Sequence, residues 1–381
     1  MSKFFRKNIL MLAALFIFGR IAFAADVNEI SIRVAVQQDA DSITLKTSKE
    51  IVILKEGNGN KSKLSKNSSF SFKAEKGHVK MSGHILASPV KLSVYKKRSG
   101  LNFGKFESFY DVIIYAKDNS KLDITEIIPL EKYIEGVIAS EMGSSWPEEA
   151  LKAQAVASRS YVLANLKPKA NFDVTADTKN QVFKHGKPSK NVAEAVSKTE
   201  GLVLKYGNKI LPGFFHSHCA GHTQDPKSIW KGQKEETPKP LKGQKDPYCA
   251  AKPFHWKTSV KTETILFMAK KQKPKIKKII NLSLGKKDES GRTINLIAQT
   301  DKGNVYIKTV DLRANERMKG NMKSTAITSI KKTKSGWTFA GKGNGHGAGM
   351  CQWGAKAMAD SRKSYMEILG HYYPGAAIEK Y

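Results

Sequence analysis

The sequence predicts an α+β fold, and three observations carry that prediction. Short alternating or β-branched runs fill residues 30–121. A strongly helical stretch, PLEKYIEGVIASEMGSSWPEEALKAQAVASRSYVLANL, follows at Pro129–Leu166. After it, strand-like runs, helical segments and one glycine-rich loop interleave up to Tyr381.

The first 24 residues read as a secretory signal. Lys3, Arg6 and Lys7 form a basic start, Ile9–Phe18 a short apolar core, and Ala22-Phe23-Ala24 an A-x-A cleavage site. The apolar run is too short to span a bilayer, and no later run is longer. The expectation is an exported chain, periplasmic or in the cell wall, starting near Ala25 and touching membrane only through the signal before cleavage. Of a formal net charge of +31, cleavage removes four basic residues (Lys3, Arg6, Lys7, Arg20) and no acidic one, leaving +27. Such a surface calls for an anionic partner. For an exported protein, cell-wall polymers or anionic lipid headgroups fit better than nucleic acid, which is not expected as a partner.

Residues 25–121 form an expected accessory β region, with strands near Ser31–Val36, Ser42–Leu45, Ile51–Leu54, Val90–Tyr95 and Phe109–Tyr115. Residues 122–381 form the second expected domain, with a β-rich insert at about 257–337. In its first helix Leu130, Ile134, Val137 and Glu141 share one stripe, apolar until the last member. A carboxyl ending a buried stripe is desolvated, so its pKa rises, which suits a general acid. Gly143 offers a stop for that helix. Ser145 and Glu148 spell a capping box for the next, with Pro147 in its first turn. Alanines 150, 153, 157 and 164 line a face open to close approach, and Gln154 and Arg159 are polar groups within it. On pattern alone the pair also reads as a capped core helix preceded by a surface Glu.

Further on, residues 203–206 and 210–217 read as a hairpin around Gly207-Asn208, ending in Phe214-Phe215-His216-Ser217-His218-Cys219-Ala220-Gly221-His222. Within the insert, a helix is expected at 262–271, strands at 279–284, 293–299 and 304–308, and a second helix at 310–319. Five glycines then surround His346 (Gly341, Gly343, Gly345, Gly347, Gly349), a loop that lets backbone approach a ligand. No Gly-Lys-Ser/Thr follows, so it is not a phosphate-binding P-loop. A helix over 350–359 and another capped by Ser364 and Glu367 close the sequence.

The three cysteines, Cys219, Cys249 and Cys351, each fall in a motif-like stretch. One reading is a Cys219–Cys249 disulfide with Cys351 free. Another is a structural zinc site of Cys219, His222, Cys249 and Cys351, with His216 or His255 as alternative ligands. A reactive thiol is the third.

The helical pair, FFHSHCAGHT, and GNGHGAGMCQWGAKAMA with SYMEILGHYYPG together resemble the SpoIID/LytB family of stage II sporulation protein D and amidase-enhancer proteins. Ile32-Arg33-Val34, Ser290-Gly291-Arg292 and Met322-Lys323-Ser324-Thr325 extend the resemblance over nearly the whole mature chain. It implies an exported, peptidoglycan-active protein that cleaves glycan strands as a lytic transglycosylase, or else enhances a wall amidase without catalysis. It places the catalytic carboxyl at Glu141; on the residues themselves Glu149 is the runner-up, though its place in the first turn of a helix already explains it structurally. Some sporulation members bind zinc in the loop matching residues 173–183, where this sequence has no such ligands. No cofactor is required for the chemistry. His346, Gly345, Gly347, Gln352 and Trp353 are expected to line the glycan cleft, and Gln154, Arg159 and Tyr161 to orient acid or sugar.

Overall fold

A computed structural model describes residues 30–48, 51–94, 100–177, 181–183, 185–230, 236–250, 253–318 and 320–381. The expected signal segment lies outside them. Residues 31–381 form one unit of mixed α+β structure.

Two sheets share the first core. Seven strands lie in the order Val174–Thr175, Ser31–Ala40, Leu122–Pro129, Asp111–Ala116, Val90–Val94, Val52–Lys55, Lys61–Leu64. The first pair is parallel and the rest antiparallel. Six shorter strands, among them Ser42–Lys46 and Ser69–Glu75, build the other sheet. Leu45 and Phe72 of the smaller sheet share one core with Leu54, Leu92 and Ile114 of the larger. Each such side chain contributes about 1.5–3 kcal/mol by leaving water.

The expected domain boundary at 121/122 falls inside the larger sheet, because Leu122–Pro129 pairs on both sides. That strand escaped the pattern reading for a physical reason. It is buried on both faces yet carries Asp123 and Glu126, so it shows no clean alternation. Ser108 donates its hydroxyl to the Glu126 carboxyl, and His185 Nε2 lies 3.3 Å from the other oxygen. Burial pushes the Glu126 carboxyl up to about 7.

This strand runs directly into α1 (Leu130–Glu141), whose Leu130, Tyr133, Ile134, Val137 and Ile138 are buried. The helix stops with Met142 in extended backbone. Gly143 serves packing rather than a left-handed cap, since a Cβ there would meet the Trp146 indole at 2.9 Å. The expected Ser145–Glu148 box does not form. Pro147 occupies the N-cap of α2 (Glu148–Ala164) without a side-chain cap, and Glu148 pairs with Lys152 and Lys198 instead. Helix α2 is the hub, packed on α1, on α3 (Lys190–Lys198) and on the strand Leu202–Tyr206. Its alanine face receives a backbone as expected: Gly213 sits directly against Ala157.

The expected hairpin strand at 210–217 breaks after Ile210, where Pro212 has no N–H for a ladder. Phe215–His216 instead pairs in parallel with Met350–Cys351. Between these lie α4 (Pro247–Ala250) and the insert. Its entry and exit strands, His255–Lys261 and Gly336–Lys342, pair antiparallel. The insert contains α5 (Thr262–Lys270), a meander of Ile279–Leu284, Asn295–Thr300 and Gly303–Lys308, and α6 (Thr309–Arg313) around its own core of Ile265, Leu296, Ile307 and Phe339. The expected helix at 310–319 is α6 plus a separate 3-10 turn at Glu316–Met318. Helices α7 (Gln352–Asp360) and α8 (Tyr365–Tyr372) pack back on α2, and the Ser364–Glu367 capping box forms.

Candidate active site

The two-residue pairing of Phe215–His216 with Met350–Cys351 joins motifs that lie more than 130 residues apart. Backbone bonds between His218 and Asn344 extend the junction. The intervening glycine loop is shaped by neighbouring protein atoms. At Gly347 (φ +96°) a Cβ would lie 2.7 Å from the Arg292 guanidinium. The glycine there lets a buried cation reach the loop, a packing role rather than the expected ligand approach.

Above this junction opens a cleft of about 660 Å³. Glu141 and Tyr161 from the helical pair line one part of it, Phe214, Trp230 and His346 another, and α6 of the insert closes it with Asp311 and Arg313. Glu141, half-buried, accepts a hydrogen bond from the Val182 N–H at 3.0 Å. Burial raises its pKa, while the bonds from Val182 and the Gln352 side chain partly oppose that rise. The acid is thus desolvated, oriented and open to a cavity. The 181–183 segment that orients it reads as a featureless polar loop in sequence, because its contribution is a backbone N–H.

His346 lines the same cleft as Glu141. Its Nδ1 accepts from the Ala348 N–H at 3.0 Å, which leaves the ring proton on Nε2. Burial, with the Arg313 and Arg292 guanidiniums, pushes its pKa down to about 3, so the ring is neutral at working pH. Phe214, Trp230 and His346 form an aromatic wall with centroid separations of 4.7 and 5.2 Å.

The other expected substrate residues divide. Gly345 lines the cleft. Gln352 is buried and touches Glu141, and its Nε2 donates to Gln154 Oε1 at 3.5 Å. Gln154, also buried, donates to Ser158. These two glutamines therefore position the acid and do not face a sugar. Arg159 is corrected outright: it is fully buried, ion-paired with Glu131 at 2.6 Å and bonded to the Leu202 carbonyl, so no substrate reaches it. Trp353 is partly exposed, packs edge-on against Trp146 at 5.4 Å and is not among the residues that line the cleft. Glu149 bonds the Tyr365 N–H and Lys152, a structural role. Pattern reading missed Trp230, on the loop before α4, and Asp311 and Arg313 of the insert, which share a cleft with Glu141 only through tertiary folding.

The cysteines do come together, with a different fourth member. Cys219, Cys249, Cys351 and Asp246 are all buried, and one ligand atom of each lies within 4.8 Å of the others. All three thiols are free. The expected histidines are elsewhere: His222 Nδ1 faces the Thr223 carbonyl, His216 Nδ1 the Ala348 carbonyl, and His255 is exposed on its strand. Asp246 N-caps α4 by accepting the Cys249 N–H at 3.0 Å. Its signature, Asp246-Pro247 three residues before a Cys, was present in the sequence.

Residues 118–206 match the family described as Stage II sporulation protein, and residues 231–349 match a domain of unknown function (DUF8618). A Stage II sporulation protein D from Bacillus amyloliquefaciens is 28% identical over 330 residues, covering 81% of this chain and 89% of its own. An uncharacterized protein from Brachyspira hyodysenteriae is 30% identical over 293 residues, 76% of each chain. The chain belongs to the SpoIID/LytB family. Among SpoIID/LytB relatives, the Amidase enhancer of Bacillus subtilis is 32% identical over 290 residues, 65% of this chain. This SpoIID/LytB chain spans only 40% of that protein's length.

Proposed function

We propose that the protein acts in the bacterial cell wall as an exported lytic transglycosylase, cutting peptidoglycan glycan strands to leave 1,6-anhydro-muramic acid ends. The observation that carries this reading is Glu141: one desolvated, oriented carboxyl in a sugar-sized cleft with an aromatic wall. A two-carboxylate hydrolase must place a water opposite its acid or use a second carboxylate as nucleophile. A transglycosylase needs one group that is acid first and base second. Glu141 gives its proton to the leaving glycosidic oxygen as the C1–O bond breaks. The C6 hydroxyl oxygen of the muramic residue then bonds to C1, and its proton passes to the Glu141 carboxylate. The acid is regenerated and no water enters.

The rest of the cleft has fitting tasks. Phe214 and Trp230 offer faces for sugar rings. The neutral His346, whose ring bonds the Phe215 backbone, completes the aromatic wall without adding charge near Glu141. Arg313, held by the Lys323 carbonyl, supplies a cation for the lactyl carboxylate of muramic acid. Digestion of peptide-free glycan with the protein alone, followed by mass spectrometry of chain ends, tests the reading. Anhydro ends are expected. Reducing ends carrying solvent oxygen would instead point to hydrolysis with Asp311 as second carboxylate. A second reading, a non-catalytic enhancer of a wall amidase, rests on the similarity to the Amidase enhancer. It requires no products without added amidase and faster amidase turnover with this protein present.

A further inference from the structure

We propose that Cys219, Cys249, Cys351 and Asp246 form a closed structural zinc site that clamps the glycine-loop junction and, through Gln352, holds Glu141 in place. Its four ligands come from three separate segments, and all are buried among apolar residues, including Met350, Leu369 and Tyr373. Tetrahedral zinc with sulfur at about 2.3 Å sets its ligand atoms roughly 3.7 Å apart. A cluster whose ligand atoms all lie within 4.8 Å of one another converges on one such centre. Three thiolates favour a soft or borderline ion, and four protein ligands leave no position for a reacting water, so the site is structural.

The surroundings are arranged for anionic sulfur. The N–H groups of Gly221, Cys219 and Gly354 point at the sulfurs of Cys219, Cys351 and Cys351, at 3.3, 3.3 and 3.4 Å. Sulfur accepts such bonds well only as thiolate. Asp246 is held by the Cys249 N–H on one oxygen and by the Tyr372 hydroxyl, 2.8 Å away, on the other, the usual outer support of a ligating carboxylate. Arg292 is a fully buried guanidinium bonded to the Cys219 carbonyl, and its Nε and Nη1 have no hydrogen-bond partner among the described residues. A cation buried in this way needs negative charge nearby. A disulfide between any two of the cysteines would leave the third thiol and the carboxylate buried against it with no common partner.

The same geometry says what the ion does. Cys351 is the N-cap of α7, and the next residue, Gln352, bonds Glu141. Cys219 lies three residues beyond the strand Phe215–His216 that pairs with Met350–Cys351, and its N–H points at the Cys351 sulfur. One ion therefore ties both sides of the junction beneath the cleft.

The test is zinc content of the full-length mature protein, by elemental analysis and native mass spectrometry. One zinc per chain is expected, with cobalt giving the visible bands of tetrahedral thiolate coordination. Tyr372→Phe, which removes only a support, should weaken zinc affinity about 10–100-fold. Asp246→Asn should weaken it at least as much, and Glu141→Gln should leave it unchanged. If Cys351→Ser fails to fold, the Tyr372 variant and the cobalt spectrum still decide. Less than a tenth of an equivalent after zinc is offered, or a disulfide among the three cysteines in peptide mapping, would overturn the site. Because zinc is read independently of glycan cleavage, its outcome does not depend on the proposed activity.

Discussion

Glu141→Gln is the sharpest perturbation of the proposed chemistry. The amide oxygen can still accept the Val182 N–H now held at 3.0 Å, and the side chain keeps its volume between Gln352 and the cleft. Removing a carboxyl whose pKa burial has raised also removes a charge the fold holds at a cost near neutral pH, so unfolding midpoints should stay level or rise. The catalytic effect should be large because one group serves twice. General acid or base assistance is worth about 10²–10⁴ per step, so losing both should cut turnover at least about 10³-fold, roughly 4 kcal/mol of barrier. The assay is release of anhydro-ended fragments from peptide-free glycan, with circular dichroism confirming the fold. A folded variant retaining a tenth of wild-type turnover would refute the assignment of Glu141 as the acid.

Three other outcomes follow from the same geometry. Activity should fall as pH rises through the raised pKa of Glu141, and Gln352→Leu, by deleting a bond that lowers that pKa, should move this limb to higher pH; a limb that moves down in a pH–rate profile contradicts the contact. Arg313→Gln should raise KM for muramic-acid glycan about 10–100-fold, the worth of a charge-assisted bond, with kcat little changed; an unchanged KM removes Arg313 from the subsite. Glu126 prefers its proton in the folded state, so its contribution is intact below about pH 4.5 and lost as pH climbs through about 7. The loss is about 3 kcal/mol, and Glu126→Gln should recover it in urea melts at pH 8 but not at pH 5, whereas equal shifts at both would disprove the linkage.

Much was legible without coordinates. The period of α1 announced both its buried stripe and the carboxyl at its end, since both follow from side-chain spacing along one helix. The insert strands and the Ser364 box were visible for the same local reason. The Ser145 box failed because Pro147, with φ fixed by its ring, took the N-cap first. The strand at 122–129 hid because burial on both faces erased its alternation.

By itself, then, the sequence determined the α+β class, the family, the convergence of three cysteines on motif segments and the candidate acid. Only the tertiary structure decided which groups meet that acid. It placed Val182, Trp230 and Arg313 around Glu141, exchanged His222 for Asp246 among the cysteines, and withdrew Arg159 into an ion pair. The physical reason is separation along the chain. Spacing fixes the direction of a side chain relative to its own helix or strand. Which distant element arrives on that side is set by close packing of whole surfaces, and no local pattern records it.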